Sequence, residues 1–595
     1  EIQAFGWRSL GEVLSSLPGM YTTYDRQYGY LGTRGFGLPG DYNTRILIAI
    51  NGNRLNDAVY DAAMTGREFP VDMNLIERIE VLAGPGGAIY GQNAMLGVVN
   101  VITRKGQQVD GGELTASYQD LQRRYEGGLR WGKVLANGVD VMVSASGLQA
   151  DGADLYMRYP GAGPGGTDVV GDAAGLDGEH DEEFFARIGK NAWSFELMSG
   201  AHRKDDPTGA FFSDPLTPER YQADLYQYLH LQYAEANTDE LTVFGRLFVG
   251  RERYTSLADY DGVPNFSTGS SNWYGAEGRL LYTALPAHKL LLGVELQDNA
   301  RADQTTDDLI RPGLDLNIPN DGYRAGIFVQ DEWQFALAWS TSLGLRLDRN
   351  NVTGTKASPR AALIWRADQD TTVKALYGRA HRAPNTYEAD YDDGLSQLSN
   401  RQLDGESINT YELLVDRQLS RRLSVQGSLY RWVMQDIITL GTEPVSGLSQ
   451  YQSGADVYAD GIELSGSSSL GAGSLLRASV SWQEAHYDGG RELANAPHWL
   501  ARLNYQQQLP WAGLRAGIEV QYDDNRLTNA GVELDGSLLT NVTLRTNTAI
   551  TGLELSLSVL NLFDESYAHP APDSVWQDSL PQDGRSVRLR MDYRF

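Results

Sequence analysis

An alternation of apolar and polar residues, recurring from about Gly112 to the last residue, limits most strongly how this chain can fold. In the segment LELSLSV the residues on one face are apolar, namely Leu553, Leu555, Leu557 and Val559. The residues between them are polar, namely Glu554, Ser556 and Ser558. A period of two residues predicts β-strands with one apolar face. Such strands build soluble sandwiches as well as transmembrane β-barrels, so the alternation alone leaves both classes open.

Composition excludes several other classes of protein. No run approaches the roughly 18 apolar residues of a membrane-spanning helix, and the longest candidate is the short segment Ile46–Ile50. The 50 basic and 77 acidic residues give a formal net charge of -27, which opposes binding to nucleic acid. The chain has no cysteine, which excludes disulfides and thiolate metal sites.

The lengths of the connections favour a membrane barrel over a soluble sandwich. Short connections such as Leu419–Leu423 alternate with long acidic or glycine-rich stretches. The predicted long loops are Tyr159–Glu182, Tyr254–Asn272 and Tyr387–Glu406. Outer-membrane barrels have short turns on one side of the membrane and long loops on the other. The 32 tyrosines and 12 tryptophans also suit the aromatic girdles of such barrels.

The C-terminal segment SVRLRMDYRF carries the alternation to the end of the chain. Its apolar face comprises Val587, Leu589, Met591, Tyr593 and Phe595. Its other face is charged and comprises Arg588, Arg590, Asp592 and Arg594. A strand with these two faces is apolar towards lipid and charged towards a lumen, which favours the membrane barrel.

No motif for catalysis or phosphate binding occurs in the context that it needs: GAGPGG at 161–166 matches G-x-G-x-x-G but lies in a predicted long loop. The glycine-dense segment Ile76–Gly106 has no G-K-[ST], and a β-branched strand rather than a helix follows its glycines. We expect tight turns and close backbone contacts at Gly84, Gly86, Gly87 and Gly91. Neither H-E-x-x-H nor G-x-S-x-G occurs. The chain is therefore predicted not to be an enzyme.

Candidate metal ligands are scattered along the chain. The eight histidines include no H-x-x-x-H pair, so a histidine-based zinc or copper site is not predicted. The acidic segments Asp177–Phe184 and Asp390–Gly394 could hold calcium, but neither has the EF-hand spacing. Solvated loops are the favoured interpretation of both, and His381 is interpreted as a surface residue at a strand end. No metal site and no cofactor are predicted.

Several segments in a fixed order resemble one protein family. In the first part of the chain they are SLGEVLSSLPGM (Ser9–Met20), TRGFG (Thr33–Gly37) and the glycine-dense segment Ile76–Gly106. In the second part they include YGRAHRAPNTYE, SINTYELLVDRQL, LNLFDESY and the terminal Phe595. Together they resemble the TonB-dependent outer-membrane transporters of Gram-negative bacteria over nearly the whole chain.

The resemblance implies a fold and a location. We expect an all-β membrane protein whose antiparallel transmembrane β-barrel has about 22 strands. A small mixed α/β plug domain at the N-terminus is expected inside the lumen. The plug should comprise residues 1–106, and the barrel with its long extracellular loops residues 107–595. The protein should be integral to the bacterial outer membrane and in contact with its lipids.

The resemblance also implies a function, which is energy-coupled import of a scarce large ligand. A ferric siderophore or related metal chelate is the first expectation, and cobalamin or haem uptake by the same mechanism is the alternative. Haem receptors place an axial histidine where Thr386–Tyr411 has none, which counts against haem. A passive or structural barrel, meaning a porin or adhesin, is the other alternative, although a plug would block free diffusion.

The expected partners also come from the resemblance. They are the energising protein TonB, bound through a segment upstream of Glu1 that is not in this chain, and a small-molecule chelate. A phage or bacteriocin could use the protein as a receptor.

The candidate site residues fall into three groups. Two apical plug loops are expected to bind the ligand through Asp57, Tyr60, Asp61, Met64, Arg67, Gln92, Asn93 and Met95. Many family members have Arg-Gly-Pro where this chain has Ala83-Gly84-Pro85. Arg34 is therefore the expected plug cation that locks the plug to Glu412 of the barrel, with Arg78 as a weaker candidate. Tyr593 and Phe595 are expected to form the signal for barrel assembly.

Overall fold

In the computed structural model, a closed antiparallel barrel of 22 strands surrounds a mixed plug of short helices and strands. The structure describes residues 1–311, 315–471, 473–511, 513–548 and 550–595. The predicted fold class is confirmed. None of the helices in these ranges combines the length and hydropathy needed to span a membrane.

The plug begins with two short helices, α1 (Ile2–Phe5) and α2 (Leu10–Ser15). The Ser9 hydroxyl accepts a hydrogen bond from the backbone N–H of Glu12 and so caps the start of α2. The helix stops at Ser15 and does not continue to Met20. Pro18 disfavours a helical conformation at the residue before it and cannot itself donate a helical hydrogen bond.

Six strands complete the plug. They are β1 (Met20–Tyr24), β2 (Gly29–Thr33), β3 (Ile46–Ile50), β4 (Asn53–Arg54), β5 (Ile76–Ala83) and β6 (Gly97–Thr103). Strands β1 and β2 form a hairpin, while the other four form a sheet in the order β4-β3-β6-β5. The apolar run ILIAI of β3 lies parallel to β6 and is buried along its whole length. The plug core thus forms around β3 and β6.

The glycine-dense segment makes the expected turns. Gly84 and Gly91 have φ angles of 82° and 75°, which favour glycine. A Cβ on Gly87 would lie 2.9 Å from the Cβ of Ala380 in the barrel wall. Between Gly84 and Gly91, the residues Gly87–Tyr90 form one helical turn, α3. The plug backbone therefore comes too close to the wall at Gly87 for any side chain.

The rest of the chain supplies the barrel and its loops. After α4 (Gly106–Val109) the first fifteen strands are β7 (Gly111–Gln119), β8 (Arg124–Val134), β9 (Asp140–Ala150), β10 (Tyr156–Gly163), β11 (Thr167–Asp172), β12 (Glu179–Lys190), β13 (Trp193–Asp205), β14 (Tyr221–Thr238), β15 (Leu241–Tyr260), β16 (Val263–Tyr282), β17 (His288–Asp308), β18 (Leu316–Ile318), β19 (Gly322–Ala336), β20 (Trp339–Asn350) and β21 (Gly354–Arg366). The remaining strands are β22 (Thr371–Arg382), β23 (Gln397–Leu398), β24 (Glu406–Ser420), β25 (Leu423–Thr442), β26 (Ser449–Gly471), β27 (Ser474–Tyr487), β28 (Trp499–Gln508), β29 (Arg515–Asp523), β30 (Arg526–Leu527), β31 (Glu533–Leu534), β32 (Ser537–Asn547), β33 (Leu553–Leu560), β34 (Ala568–Pro570), β35 (Ser579–Pro581) and β36 (Ser586–Arg594).

Eight of these strands are short additions at the loops, namely β10, β11, β18, β23, β30, β31, β34 and β35. One helix, α5 (Thr386–Asp390), lies in the connection between β22 and β24. Short 3-10 turns occur at Met73–Leu75, Pro164–Gly166 and Ala210–Phe212. The other strands pair in chain order around the barrel, and β36 closes it against β7.

The alternation in sequence becomes an inside and an outside of the barrel. On β36 the Leu589 side chain is 58% exposed on the outer face, whereas Arg588 is buried inside. On β9, Met142 interrupts the polar face of its strand, and its side chain is fully buried in the core shared with the plug. The inward face is therefore polar except where it meets apolar plug residues.

Two of the expected solvated loops are structured. The segment Tyr254–Asn272 is a continuous hairpin of β15 and β16, turning at Asp261 and Gly262. Both residues have positive φ, as a two-residue type I′ turn requires. In the acidic segment Asp177–Phe184, Asp177 and Asp181 are buried and paired with basic side chains rather than solvated.

The boundary between plug and barrel remains a proposal. The plug sheet ends at Thr103 and the first barrel strand begins at Gly111. The proposed boundary, between residues 106 and 107, lies inside α4. A Cβ on Gly106 would lie 2.1 Å from the carbonyl oxygen of Val141. The connection is therefore pressed against the barrel wall.

The terminal residue seals the barrel through its main chain. The N–H of Phe595 donates to the carbonyl of Gly112 at 2.9 Å, and the N–H of Gly112 donates to the carbonyl of Phe595 at 2.8 Å. The rings of Tyr593 and Phe595 stack with centroids 5.7 Å apart. Phe595 is 66% exposed on the outer surface.

Replacing Phe595 with Ser should reduce the amount of heat-modifiable barrel in the membrane, because the resemblance implies that the outer-membrane insertion machinery reads the C-terminal aromatic. Leu589→Ser is the matched control, since Leu589 also faces outwards on β36. Electrophoretic mobility with and without heating measures assembly. If both variants lose the same amount, Phe595 contributes only ordinary lipid contact and is not an assembly signal.

Candidate ligand cavity and plug contacts

A cavity of about 1490 Å³ lies between the plug and the long loops of the barrel. The plug supplies its floor through segments that include Leu38–Tyr42 and Asp57–Met64. Its walls come from barrel strands and from the long connections, α5 among them. Small-molecule pockets usually measure roughly 300 to 1,000 Å³. The cavity is therefore large enough for a bulky ligand.

Tyrosines are the main aromatic lining of this cavity. Those among the described residues are Tyr28, Tyr42, Tyr60, Tyr254, Tyr260, Tyr387, Tyr391, Tyr451 and Tyr487. The plug ring Tyr60 lies 5.7 Å, centroid to centroid, from both Tyr254 and Tyr387. Tyr387 in turn contacts Tyr391 and Tyr451. One plug residue is thus joined to three barrel segments by ring contacts.

Three of the eight predicted ligand-binding residues line the cavity, namely Asp57, Tyr60 and Met64. The carboxylate of Asp57 accepts the backbone N–H groups of Val59, Tyr60 and Ala62 at 2.7 to 2.8 Å. It therefore holds the first apical loop in shape as well as facing the cavity. Burial raises the pKa of Asp57 to about 6 despite these hydrogen bonds.

The second apical loop does not line the cavity. Arg54 of the plug donates to the carbonyl oxygens of Tyr90 and Gln92, and also to the side chain of Asn93, at 2.8 to 2.9 Å. These bonds fold the loop back on the plug, and both Asn93 and Met95 are fully buried. The Gln92 side chain accepts a hydrogen bond from Asn350 of the barrel at 3.3 Å. None of these three belongs to the proposed ligand site.

Two predicted residues of the first apical loop also point away from the cavity. Arg67 forms an ion pair with Glu126 of the barrel at 3.0 Å. Asp61 is buried, has a φ angle of 52° and accepts a hydrogen bond from Asn56 through its carbonyl oxygen. Arg67 thus binds the barrel wall, and the carbonyl of Asp61 helps to hold the loop in shape. These five predicted residues do not line the cavity.

Below the cavity, Arg34 of the plug lies between two barrel carboxylates. Its Nη2 atom is 2.9 Å from Glu412 and 3.0 Å from Glu463, and its Nε atom is 3.0 Å from Glu463. The guanidinium also lies 4.2 Å from the ring centre of Tyr430. Arg34 is 3% exposed. The three charges and the ring therefore form one buried cluster that joins plug to barrel.

Gly84 follows Ala83, the residue that stands where many family members have an arginine, and it lies beside this guanidinium. A Cβ on Gly84 would be 3.8 Å from Nη1 of Arg34. Arg34 thus occupies the space next to the Ala83-Gly84-Pro85 turn. Arg78, the weaker candidate, is 54% exposed and pairs with Glu80 on its own strand. It makes no plug-to-barrel ion pair among the described residues.

A second buried charge cluster was not predicted from the sequence. Glu406 is paired on one side with Arg45 of the plug at 2.6 Å and on the other with Arg382 of the barrel at 2.8 Å. Arg382 continues to Glu388 at 2.8 Å. All four charges are buried, and Arg45 also pairs with Asp41. Because each charge has partners, the desolvation cost of burying it is offset.

Glu463, Arg45 and Glu406 carried only a weak signal in the sequence. Each is a charged residue on the inward face of a strand or at a strand end, a position where a charge must find a partner. Alternation alone does not say which inward charge faces the plug.

One group of described residues has the spacing of a metal site, namely Glu179, Asp181 and His202. Its ligand atoms already have partners, because Glu179 pairs with Arg124 and the Asp181 carboxylate lies 2.5 Å from His202. Lys204 lies in the same region, paired with Asp177 at 2.6 Å. We therefore assign no metal to this group.

His381 is buried and is not at the surface as expected. Its exposed fraction is 4%, and its Nδ1 atom lies 3.1 Å from the hydroxyl of Ser358. It does not line the large cavity. Its side chain is buried because residue 381 lies on the face of β22 that points into the barrel.

Comparison with known families agrees with this architecture. Residues 175–562 match the family description "TonB dependent receptor-like, beta-barrel", and residues 1–98 match "TonB-dependent Receptor Plug Domain". The chain belongs to the TonB-dependent receptor family. This family consists of transporters, and the receptor is an integral protein of the outer membrane.

Curated relatives of the receptor are distant. The iron-regulated outer membrane virulence protein of Vibrio cholerae is 23% identical over 403 residues, which cover 66% of this chain and 57% of the relative. The vitamin B12 transporter BtuB of Vibrio cholerae is 23% identical over 428 residues, covering 67% and 61%. The matched part of the receptor thus spans less than two thirds of these relatives.

Solved structures share the fold of the receptor. The unliganded ferric citrate transporter FecA matches with a TM-score of 0.80 and 14% identity, covering 100% of this chain and 96% of that one. The FrpB iron transporter from Neisseria meningitidis matches with a TM-score of 0.76 and 16% identity, covering 100% and 97%. At these identities the likeness is one of fold.

Changing Arg34 to Ala should loosen the plug, because two buried carboxylates lose their cation at a cost of about 3 to 5 kcal/mol. We expect faster hydrogen exchange in the β2 amides, Gly29–Thr33, and slower transport with ligand binding largely kept. The double variant Arg34→Ala/Glu412→Ala should be no worse than Arg34→Ala alone.

Arg78→Ala is the matched control, because it removes an exposed plug arginine and should leave both measurements unchanged. Additive effects of the Arg34 and Glu412 changes would show that these residues do not act as a pair.

Proposed function

We propose that the receptor imports a ferric siderophore or related metal chelate across the outer membrane, using energy delivered through TonB. The observation that carries this proposal is a bulky cavity whose floor is the plug itself. A ligand seated there touches the part of the chain that must rearrange before anything can pass. Binding and transport are in this way coupled through one domain.

The names of similar proteins support the choice of ligand class. Among them are an iron-regulated virulence protein, a ferric citrate transporter and the FrpB iron transporter. Another relative is named a vitamin B12 transporter, so cobalamin is the second candidate. Haem has less support, because no histidine lines the cavity among the described residues.

Free diffusion is not the proposed activity. The plug fills the lumen, and its contacts with the wall include Arg34 with Glu412, Arg45 with Glu406, and close backbone packing at Gly87. A porin needs an open, water-filled lumen. We likewise propose transport rather than catalysis, since the described lining residues present no arrangement of nucleophile and base that we can assign to a reaction.

Two macromolecular partners belong to the same proposal. TonB is the proposed energy-delivering partner, because the family is defined by dependence on it. A bacteriocin is a further proposed partner, since one structure of the same fold is titled a complex of FpvAI with pyocin S2. Both proposals concern this receptor by analogy of family and fold.

Replacing Tyr60 and Tyr387 together with Ala should weaken binding of the imported chelate at least tenfold, or about 1.4 kcal/mol. Each ring contributes aromatic contact in the cavity, worth roughly 0.5 to 1.5 kcal/mol beyond buried area. A strain that lacks the gene, complemented with either version, is tested for uptake of radiolabelled iron from a panel of siderophores and of labelled cobalamin.

Gln92→Ala is the matched control, since this plug residue does not line the cavity and should leave binding unchanged. If the complemented strain takes up no iron chelate above the background of the deletion strain, the proposed function is contradicted. If the wild-type and double-variant proteins take up the chelate equally when it is limiting, the two tyrosines are not part of the binding site.

A further inference from the structure

Acidic side chains dominate the charged lining of the cavity. The described lining residues include twelve carboxylates, namely Asp41, Asp57, Asp224, Glu252, Asp308, Asp315, Glu388, Asp393, Asp456, Asp488, Glu492 and Asp573. They include three arginines, namely Arg45, Arg311 and Arg491, and neither lysine nor histidine. A concave surface with this balance repels anions and concentrates cations.

Two of the three arginines are paired with carboxylates, and the third packs on a tyrosine ring. Arg45 is held by Glu406 at 2.6 Å and by Asp41 at 2.9 Å. Arg311 pairs with Asp308 at 2.7 Å. Arg491 lies over the ring of Tyr487, 4.3 Å from its centre. The lining therefore offers little positive charge for holding an anionic ligand.

Three carboxylates lack a basic partner where the plug floor meets the barrel wall, Asp57 on the plug and Asp224 and Glu252 on β14 and β15. Among the described residues, no lysine, arginine or histidine nitrogen lies within ion-pair distance of Asp57, Asp224 or Glu252. All three are buried. Asp57 is held by backbone N–H groups, and Asp224 accepts a hydrogen bond from the hydroxyl of Tyr28 at 2.9 Å. We call these three residues the acidic floor.

Glu252 is the member of the acidic floor with an unused acceptor. It is 2% exposed and lines the cavity, and its Oε2 atom has no hydrogen-bond partner. It projects from the inner face of β15, two residues before Tyr254. In the pairing of β14 with β15, Glu252 lies opposite Tyr226 and Asp224 opposite Tyr254. The two carboxylates are thus diagonal neighbours on one face.

Three neighbouring carboxylates in a poorly hydrated site are costly when ionised, and either protonation or a bound cation removes that cost. The rings of Tyr60 and Tyr254 both line the cavity and meet edge to face, with centroids 5.7 Å apart. Aromatic faces attract ammonium and guanidinium groups, by about 0.5 to 2 kcal/mol each. Carboxylates below and aromatic rings beside them form a set of groups suited to an organic cation.

We propose that the ligand is a chelate carrying a positively charged nitrogen group, which the acidic floor binds through Glu252. This inference rests on the proposed import function and narrows its substrate class. Chelates with a net negative charge, such as ferric tris-catecholates, are excluded by the same surface. An amine-bearing neutral or cationic iron complex is the class that fits.

The charge preference can be measured without knowing the natural ligand. Hexaamminecobalt(III) and hexacyanocobaltate(III) are octahedral complexes of opposite charge, and the first presents N–H donors as an ammonium group does. Calorimetric titration of the full chain in detergent, at near-physiological salt to screen weak surface binding, gives their affinities. We expect the cation to bind at least tenfold more tightly than the anion.

Glu252→Gln should weaken binding of the cobalt cation at least fivefold, and Asp224→Asn should act in the same direction. The matched control is Asp239→Asn/Glu240→Gln, which removes two exposed carboxylates at the short turn that joins β14 to β15, at the other end of these strands from the cavity. It should leave the affinity unchanged. Heat modifiability checks that every variant is a folded barrel.

Equal affinity of the two cobalt complexes, or wild-type affinity in both floor variants, would overturn the proposal. A calcium ion that wild type binds tightly and Glu252→Gln does not bind would also overturn the proposal, because the acidic floor would then hold a structural metal. If the charge preference fails while iron chelates are still imported, only this inference falls. If the preference holds while no chelate is imported, the proposed import function falls.

Discussion

The width of a 22-stranded barrel is the constraint on which the rest of the structure depends. Such a wall leaves a lumen too wide for its own side chains to fill, so a separate domain must fill it. The inner wall is polar, and the plug therefore meets it through charges. Arg34 with Glu412 and Glu463, and Arg45 with Glu406, show how each buried charge is matched across the interface. A matched pair holds the plug firmly, yet its partners can exchange for water if the plug is pulled.

The same lumen divides into two regions of different electrostatic character. Beside and below the cavity, buried carboxylates such as Glu406 have arginine partners. In the acidic floor, Asp57 of the plug and Asp224 and Glu252 of the adjoining wall have none among the described residues. A buried carboxylate without a basic partner costs free energy unless neutral donors satisfy it or a proton neutralises it. Because the Oε2 atom of Glu252 has no hydrogen-bond partner and lines the cavity, its retention here supports a ligand. The plug loop Asp57–Met64 contributes to this region, which places ligand binding and plug stability on one short segment.

Much of the fold could be predicted from the sequence, and part of the site. Alternation along β33 and β36 identifies lipid-facing strands, and the order of plug segments identifies the family. Arg34 and Glu412 were predicted as a pair and lie 2.9 Å apart, while their role as a lock stays a prediction. Glu463 was missed because its contact with Arg34 depends on the pairing register of β25 with β26 and on the position of the plug in the lumen. Met95 and Asn93 were assigned to the ligand because polar and flexible residues in a loop suggest exposure. Hydrogen bonds from Arg54 instead fold that loop inwards.

A disulfide between plug and wall tests the central claim most directly, namely that import requires the plug to move. The chain has no cysteine, and a Cβ on Gly344 of β20 would lie 3.5 Å from the Cβ of Ala88, which suits a disulfide. In the variant Ala88→Cys/Gly344→Cys, the oxidised protein should bind its ligand normally and import none, and a reductant should restore uptake. Undiminished uptake by a fully oxidised protein would contradict the account.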